Sequence, residues 1–143
     1  MKIAENKIIG EPIDLDLPAQ DVHQAKRLIW NKIMIYFDSL YESDPKKIKQ
    51  VFHPNAKITG YMSTTLVENT LNTYAEFIAS QRPSAFESKE PKFLEILSVK
   101  VAGDTAVAIV RNGLMGKTFL DTLTFIKVNQ DWLIYGKLYH IEA

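Results

Sequence analysis

One acid in the last third of the chain stands where an acid is expensive. In the run Lys117–Lys127, odd positions carry Phe119, Asp121, Leu123 and Phe125, and even positions carry Thr118, Leu120, Thr122, Thr124 and Ile126. Strand side chains alternate between faces, so the aromatic odd set forms the core face and Asp121 lies in its middle. An unpaired carboxylate is costly to bury, so Asp121 must be paired or neutralised. A paired or desolvated acid of this kind can act as a general base or acid, or it can hold a structural hydrogen bond.

Turn spacing gives a register for its neighbours. With Gly113–Gly116 as one loop, Asn112 pairs with Lys117, Ala108 lies opposite Asp121, and Ala106 faces Leu123. With Asn129-Gln130 as the next tip, Lys127 faces Trp132, Phe125 faces Ile134 and Asp121 faces Leu138. His140 is then diagonal to Asp121 on the same face. The pair Asp121 and His140 forms the candidate catalytic set, with Asp121 as base. Tyr36, Trp132, Phe119 and Ala108 are the candidate ligand-binding residues. Tyr135, Lys137 and Tyr139 fall on the opposite face. A slip of one residue in either hairpin would reverse these assignments.

The other candidates carry less. His53 precedes Pro54 at a helix end, where a structural hydrogen bond is the expected role. His23 falls on the polar side of a helix and is expected to face solvent. Three scattered histidines and no cysteine leave no ligand spacing for zinc, and exclude disulfides and thiol nucleophiles. No dinucleotide fingerprint, P-loop or nucleophile elbow is present. The expectation is a chain without metal or cofactor.

These residues need elements to position them. Apolar residues at Val22, Ala25, Ile29, Ile33, Tyr36 and Leu40 keep helical spacing for about five turns. Trp30, Met34, Phe37 and Tyr41 widen that stripe, so a sheet or second subunit must cover it. Asp16-Leu17-Pro18 reads as this helix's start. Asp44 and Pro45 cap a short helix ending before His53-Pro54. Ala56–Met62 and Leu66–Glu68 read as a small hairpin, and 71–81 as another amphipathic helix. Phe93–Val101, Thr105–Asn112, Lys117–Val128 and Trp132–His140 form a meander whose short links require antiparallel pairing. Residues 1–15 are a polar lead-in with an extended piece at Lys7–Ile9.

The whole of 1–143 reads as one α+β domain: a curved, mixed, mostly antiparallel sheet around a long N-terminal helix and two shorter ones, enclosing a cavity. Lysine plus arginine equals aspartate plus glutamate at 17 each, which gives no general pull toward nucleic acid or anionic membranes. The run Lys46-Lys47-Ile48-Lys49 reads as a solvated helix face. No apolar stretch approaches the ~20 residues of a membrane helix, and the first residues lack a secretory apolar core. The cytoplasm is the expected location.

Tyr36-Phe37-Asp38-Ser39-Leu40-Tyr41, Val51-Phe52-His53-Pro54-Asn55-Ala56, Phe119-Leu120-Asp121 with Leu123, and Trp132-Leu133-Ile134 with Lys137 and His140 carry a resemblance. Over about residues 20 to 141 the chain resembles the nuclear-transport-factor-2-like superfamily of cone-shaped α+β folds. Within it the chain is similar to the group labelled putative lumazine-binding, relatives of the polyketide-cyclase-like proteins. The resemblance implies a cavity between sheet and helices, and a homodimer through the sheet's outer face. The ketosteroid isomerase branch uses two acids and a tyrosine. Asp121 and Tyr36 match one acid and the tyrosine, and no second acid has an inward position. Three readings follow: a small-molecule-binding domain with an apolar pocket anchored by Asp121; a cofactor-independent isomerase, dehydratase or cyclase; or a non-catalytic dimeric module.

Overall fold

The structure, a computed structural model, describes residues 5–10 and 21–142. The helix start read at Asp16-Leu17-Pro18 lies outside them. Helix α1 runs Asp21–Glu42, α2 Pro45–Val51 and α3 Leu71–Ala79. The strands are β1 (Lys7–Gly10), β2 (Phe52–Met62), β3 (Thr65–Thr70), β4 (Phe93–Ala102), β5 (Thr105–Leu114), β6 (Lys117–Val128) and β7 (Asp131–Ile141). They form one sheet in the order β1-β4-β5-β6-β7-β2-β3. The β1–β4 and β2–β7 pairs are parallel and the rest antiparallel. No helix of the described residues is long and apolar enough to cross a membrane.

The helices form where capping and periodicity place them. Asp44 Oδ1 accepts from Lys46 N at 2.9 Å and Lys47 N at 3.3 Å, with Pro45 in the first turn. Thr70 and Thr73 make a reciprocal capping box at the start of α3. On α1, Ala25, Ile29, Ile33, Tyr36, Phe37, Leu40 and Tyr41 are buried in the core. Val22, expected to open this stripe, is 52% exposed, because the buried face begins one turn later.

Two hairpins decide which residues meet. The β5–β6 link is tighter than the expected four-residue loop. Leu114 pairs with Lys117, and only Met115 and Gly116 turn, both at positive φ (53° and 77°). Two consecutive left-handed residues are what a two-residue hairpin turn requires. The register therefore moves by two residues. A two-residue shift preserves faces, so the inward set survives while partners change. Val110, not Ala108, lies opposite Asp121, and Ala108 faces Leu123.

The β6–β7 hairpin begins as expected, with Lys127 facing Trp132 and Phe125 facing Ile134. A bulge then skips Tyr135, so Thr124 faces Gly136 and Asp121 faces Tyr139. One inserted residue reverses the alternation beyond it. Lys137 and Tyr139, expected outside, turn inward, and Leu138 and His140 turn outward.

Candidate functional site

Asp121 is fully buried. Its Oδ2 accepts from the Tyr36 hydroxyl at 2.7 Å and from Asn112 Nδ2 at 2.8 Å. Tyr36 comes from the middle of α1. Asn112 comes from β5, one pair along from Val110, on the same face as Asp121. Among the described residues Asp121 Oδ1 and Asn112 Oδ1 have no hydrogen-bond partner and almost no accessible surface.

A second charge lies nearby. Lys137 on β7 is 5% exposed, and its Nζ donates to the Tyr74 hydroxyl at 2.8 Å. The ammonium sits over three tyrosine rings: Tyr74 at 5.0 Å, Tyr36 at 5.1 Å and Tyr139 at 5.5 Å from the centroids. Rings at this range attract a cation through their negative faces. Phe52 stands edge-on to both Tyr36 and Tyr74, at 6.0 and 5.9 Å between centroids, and holds the two phenols in place. Tyr139 reaches across β2 because its partner there is Gly60. A Cβ at Gly60 would collide with the Tyr139 ring.

The protonation states follow from these contacts. Burial raises the Tyr36 pKa well above its usual value, and the Asp121 charge and the Tyr74 phenol add to the effect. Burial likewise raises Tyr74, against the pull of Lys137. For Lys137, burial is the largest influence and lowers the pKa. The Asp121 charge and the Tyr74 and Tyr139 phenols together outweigh it, so the net direction is upward. At neutral pH the group is therefore an ammonium donor rather than a free amine nucleophile.

This polar cluster ends in a cavity of about 350 Å³ between the sheet, α3 and the β2–β3 and β5–β6 hairpins. Leu40, Val67, Phe77, Ile78, Leu114 and Phe119 supply much of its apolar wall, and Lys137, Tyr74 and Asn112 its buried polar end. A mostly apolar cavity with a few convergent polar groups is the usual form of a small-molecule site. Among the described residues no cluster of three or more His, Asp or Glu side chains could hold a metal ion.

Of the residues singled out from the sequence, Phe119 lines the cavity and Tyr36 bonds Asp121 one layer behind it. Trp132 and Ala108 are buried in the apolar core and do not line the cavity. The expected Asp121–His140 pair does not form. His140 faces Leu120, is exposed, and lies on the outer face because of the bulge. His53 accepts from Asn55 N through Nδ1 and packs on Tyr135, in keeping with a structural role. His23 is half-buried rather than open to solvent. Asn112, Tyr74, Lys137 and Tyr139 were not among the sequence candidates. Parity could have found Asn112, because Ala106, Ala108 and Val110 precede it on the inward face of β5.

Residues 24–140 match the family described as putative lumazine-binding. The chain belongs to that family. Its fold recurs in solved structures of NTF2-like proteins of unknown function. One from Silicibacter pomeroyi is 23% identical, covers 83% of this chain and 97% of its own, and superposes with a TM-score of 0.76. One from Shewanella baltica is 20% identical, with 87% and 99% covered and a TM-score of 0.77. A putative ketosteroid isomerase from Shewanella frigidimarina is 16% identical, with 79% and 94% covered and a TM-score of 0.60. At these identities the likeness is one of fold. No curated protein matches the sequence.

Proposed function

We propose that this family member is a small-molecule-binding domain whose ligand enters the cavity and is read at its buried end by Lys137 and Tyr74, with Asn112 in the wall beside them and held by Asp121. The observation that carries the reading is the convergence of these three polar side chains on an otherwise apolar cavity. Asp121 anchors the site from behind. It orients Asn112 and Tyr36 and offsets the charge of Lys137, rather than touching the ligand itself. That arrangement favours binding over general-base catalysis by Asp121, because Oδ2 already holds two donors and Oδ1 has almost no accessible surface.

A library of compounds screened by thermal shift tests the reading, since a ligand that prefers the folded state raises the melting temperature. Cavity ligands should lose their shift in Phe77→Asp, which places a charge in the wall. Shifts that survive Phe77→Asp would move binding away from this cavity.

The sheet's outer face supports the homodimer that the family resemblance implies. Leu138 is 59% exposed, Tyr135 45% and Leu97 37%, and Ile109 and Leu120 are half-exposed between them. Apolar side chains grouped on one face mark an interaction surface. Light scattering of Leu138→Glu against the wild type tests it. A wild-type monomer would remove the dimer.

A further inference from the structure

The cavity's ligand-facing charge is one-sided. Among the described residues Lys137 and Lys117 are the charged ones that line it, and no acid does. Lys137 is buried at the closed end, while Lys117 is exposed beside the β5–β6 turn. Asp121 lies behind the cavity and is not part of the lining. Its Oδ2 is covered by Tyr36 and Asn112, and its Oδ1 has almost no accessible surface. Two lysines and one buried aspartate leave the site with one net positive charge.

The donors point the same way. A protonated lysine has three N–H groups. Among the described residues Lys137 Nζ makes one hydrogen bond, to Tyr74, which leaves two donors for an incoming acceptor. The three rings around it form the kind of aromatic cage that holds cationic ligands, but the lysine's own ammonium already fills it. A cationic ligand would meet two like charges and an occupied cage.

We propose that the ligand is an organic monoanion with a flat or branched apolar body. Its anionic oxygen accepts from Lys137 at the closed end, and its body packs on Phe77, Phe119 and Leu40. One negative charge brings the site to neutrality without displacing Asp121. The proposal rests on the cavity being a ligand site, and it adds the ligand's charge and orientation.

The test compares two probes of nearly equal shape, 2-naphthoate and 2-naphthamide, titrated calorimetrically into the full chain near neutral pH. Naphthoate should bind about tenfold or more tighter, the scale of one charge-assisted hydrogen bond. The double variant Lys137→Met with Asp121→Asn removes both buried charges together and should bind the two probes alike. Lys117→Gln should weaken naphthoate by about two- to threefold, as an exposed charge does. Naphthamide binding equally or better in the wild type overturns the anion and leaves the cavity as a binding site. A naphthoate preference that persists in the double variant overturns the role of Lys137. Binding of neither probe at millimolar concentration counts against the cavity itself. A readout without variants is the carboxyl ¹³C titration of bound labelled naphthoate. Its pKa should fall below that of the free acid, and a raised value refutes contact with the ammonium.

Discussion

Arg111 and Asn112 are neighbours on β5, and they point to opposite faces of one sheet. Arg111 joins Glu95 at 2.8 Å and Glu142 at 2.7 Å on the outer face. Asn112 joins Asp121, Tyr36 and, beyond the phenols, Lys137 on the inner face. Both clusters hold charged groups at hydrogen-bond distance from a partner, ion to ion outside and ion to neutral phenol or amide inside, and their surroundings separate them. The outer side chains keep a quarter to a third of their surface in water. The inner ones keep almost none. Solvent screens the first cluster, so losing a partner there costs little. Nothing replaces a lost partner in the second, where each group depends on the others.

That contrast can be broken by substitution. The largest effect is expected from Lys137→Met, which leaves Asp121 as a buried charge without its counter-charge. A loss of about 3–5 kcal/mol in urea unfolding is expected. Adding Asp121→Asn should recover part of it, and strict additivity of the two changes would show that these charges do not interact. Tyr36→Phe removes one of the two donors to Asp121 Oδ2 and should cost about 1–3 kcal/mol by the same measurement. Arg111→Ala on the outer face should cost below about 1 kcal/mol, with the difference shrinking in high salt. An Arg111→Ala loss as large as that of Lys137→Met would erase the distinction between the faces.

Titration sharpens the comparison. Lys137, Tyr36 and Tyr74 have folded pKa values raised above the ordinary 10.5 and 10.0. A raised pKa contributes stability that is full below the unfolded value and is lost as pH climbs through the folded one. The inner cluster should therefore fail on the alkaline side, above about pH 10. Glu142 moves the other way, because its bonds to Arg111 lower its pKa. Its contribution is present above the usual carboxylate pKa and is lost as pH falls through the lowered value. Melting temperatures of wild type, Tyr36→Phe and Glu142→Gln across pH should show the first variant converging on wild type in alkali and the second in acid.

The same two faces show how far sequence could be read. Asp121 was legible because Phe119, Leu123 and Phe125 alternate around it, and alternation is a property of the local backbone. The helix at Asp44-Pro45 was legible because its cap lies two and three residues from the groups it satisfies. Tyr36 was legible as a candidate from its place on the apolar stripe. Strand parity alone puts Lys137 on the outer face, and one inserted residue, Tyr135, reverses that parity and turns it inward. A two-residue turn where four were expected moved Ala108 away from Asp121 and brought Asn112 to it. The composition of a turn does not state its length.

By itself, then, the sequence determined the α+β class, the order of elements, the inward acid and the helix faces. Each depends on the spacing of residues a few positions apart, where period 2, period 3.6 and capping operate. Only the tertiary structure decided that Lys137, Tyr74 and Asn112 meet at one cavity. They stand on β7, α3 and β5, and their meeting depends on a bulge, a turn geometry and the Gly60–Tyr139 crossing. Those are outcomes of packing the whole sheet against its helices, where a shift of one residue in a strand exchanges its faces.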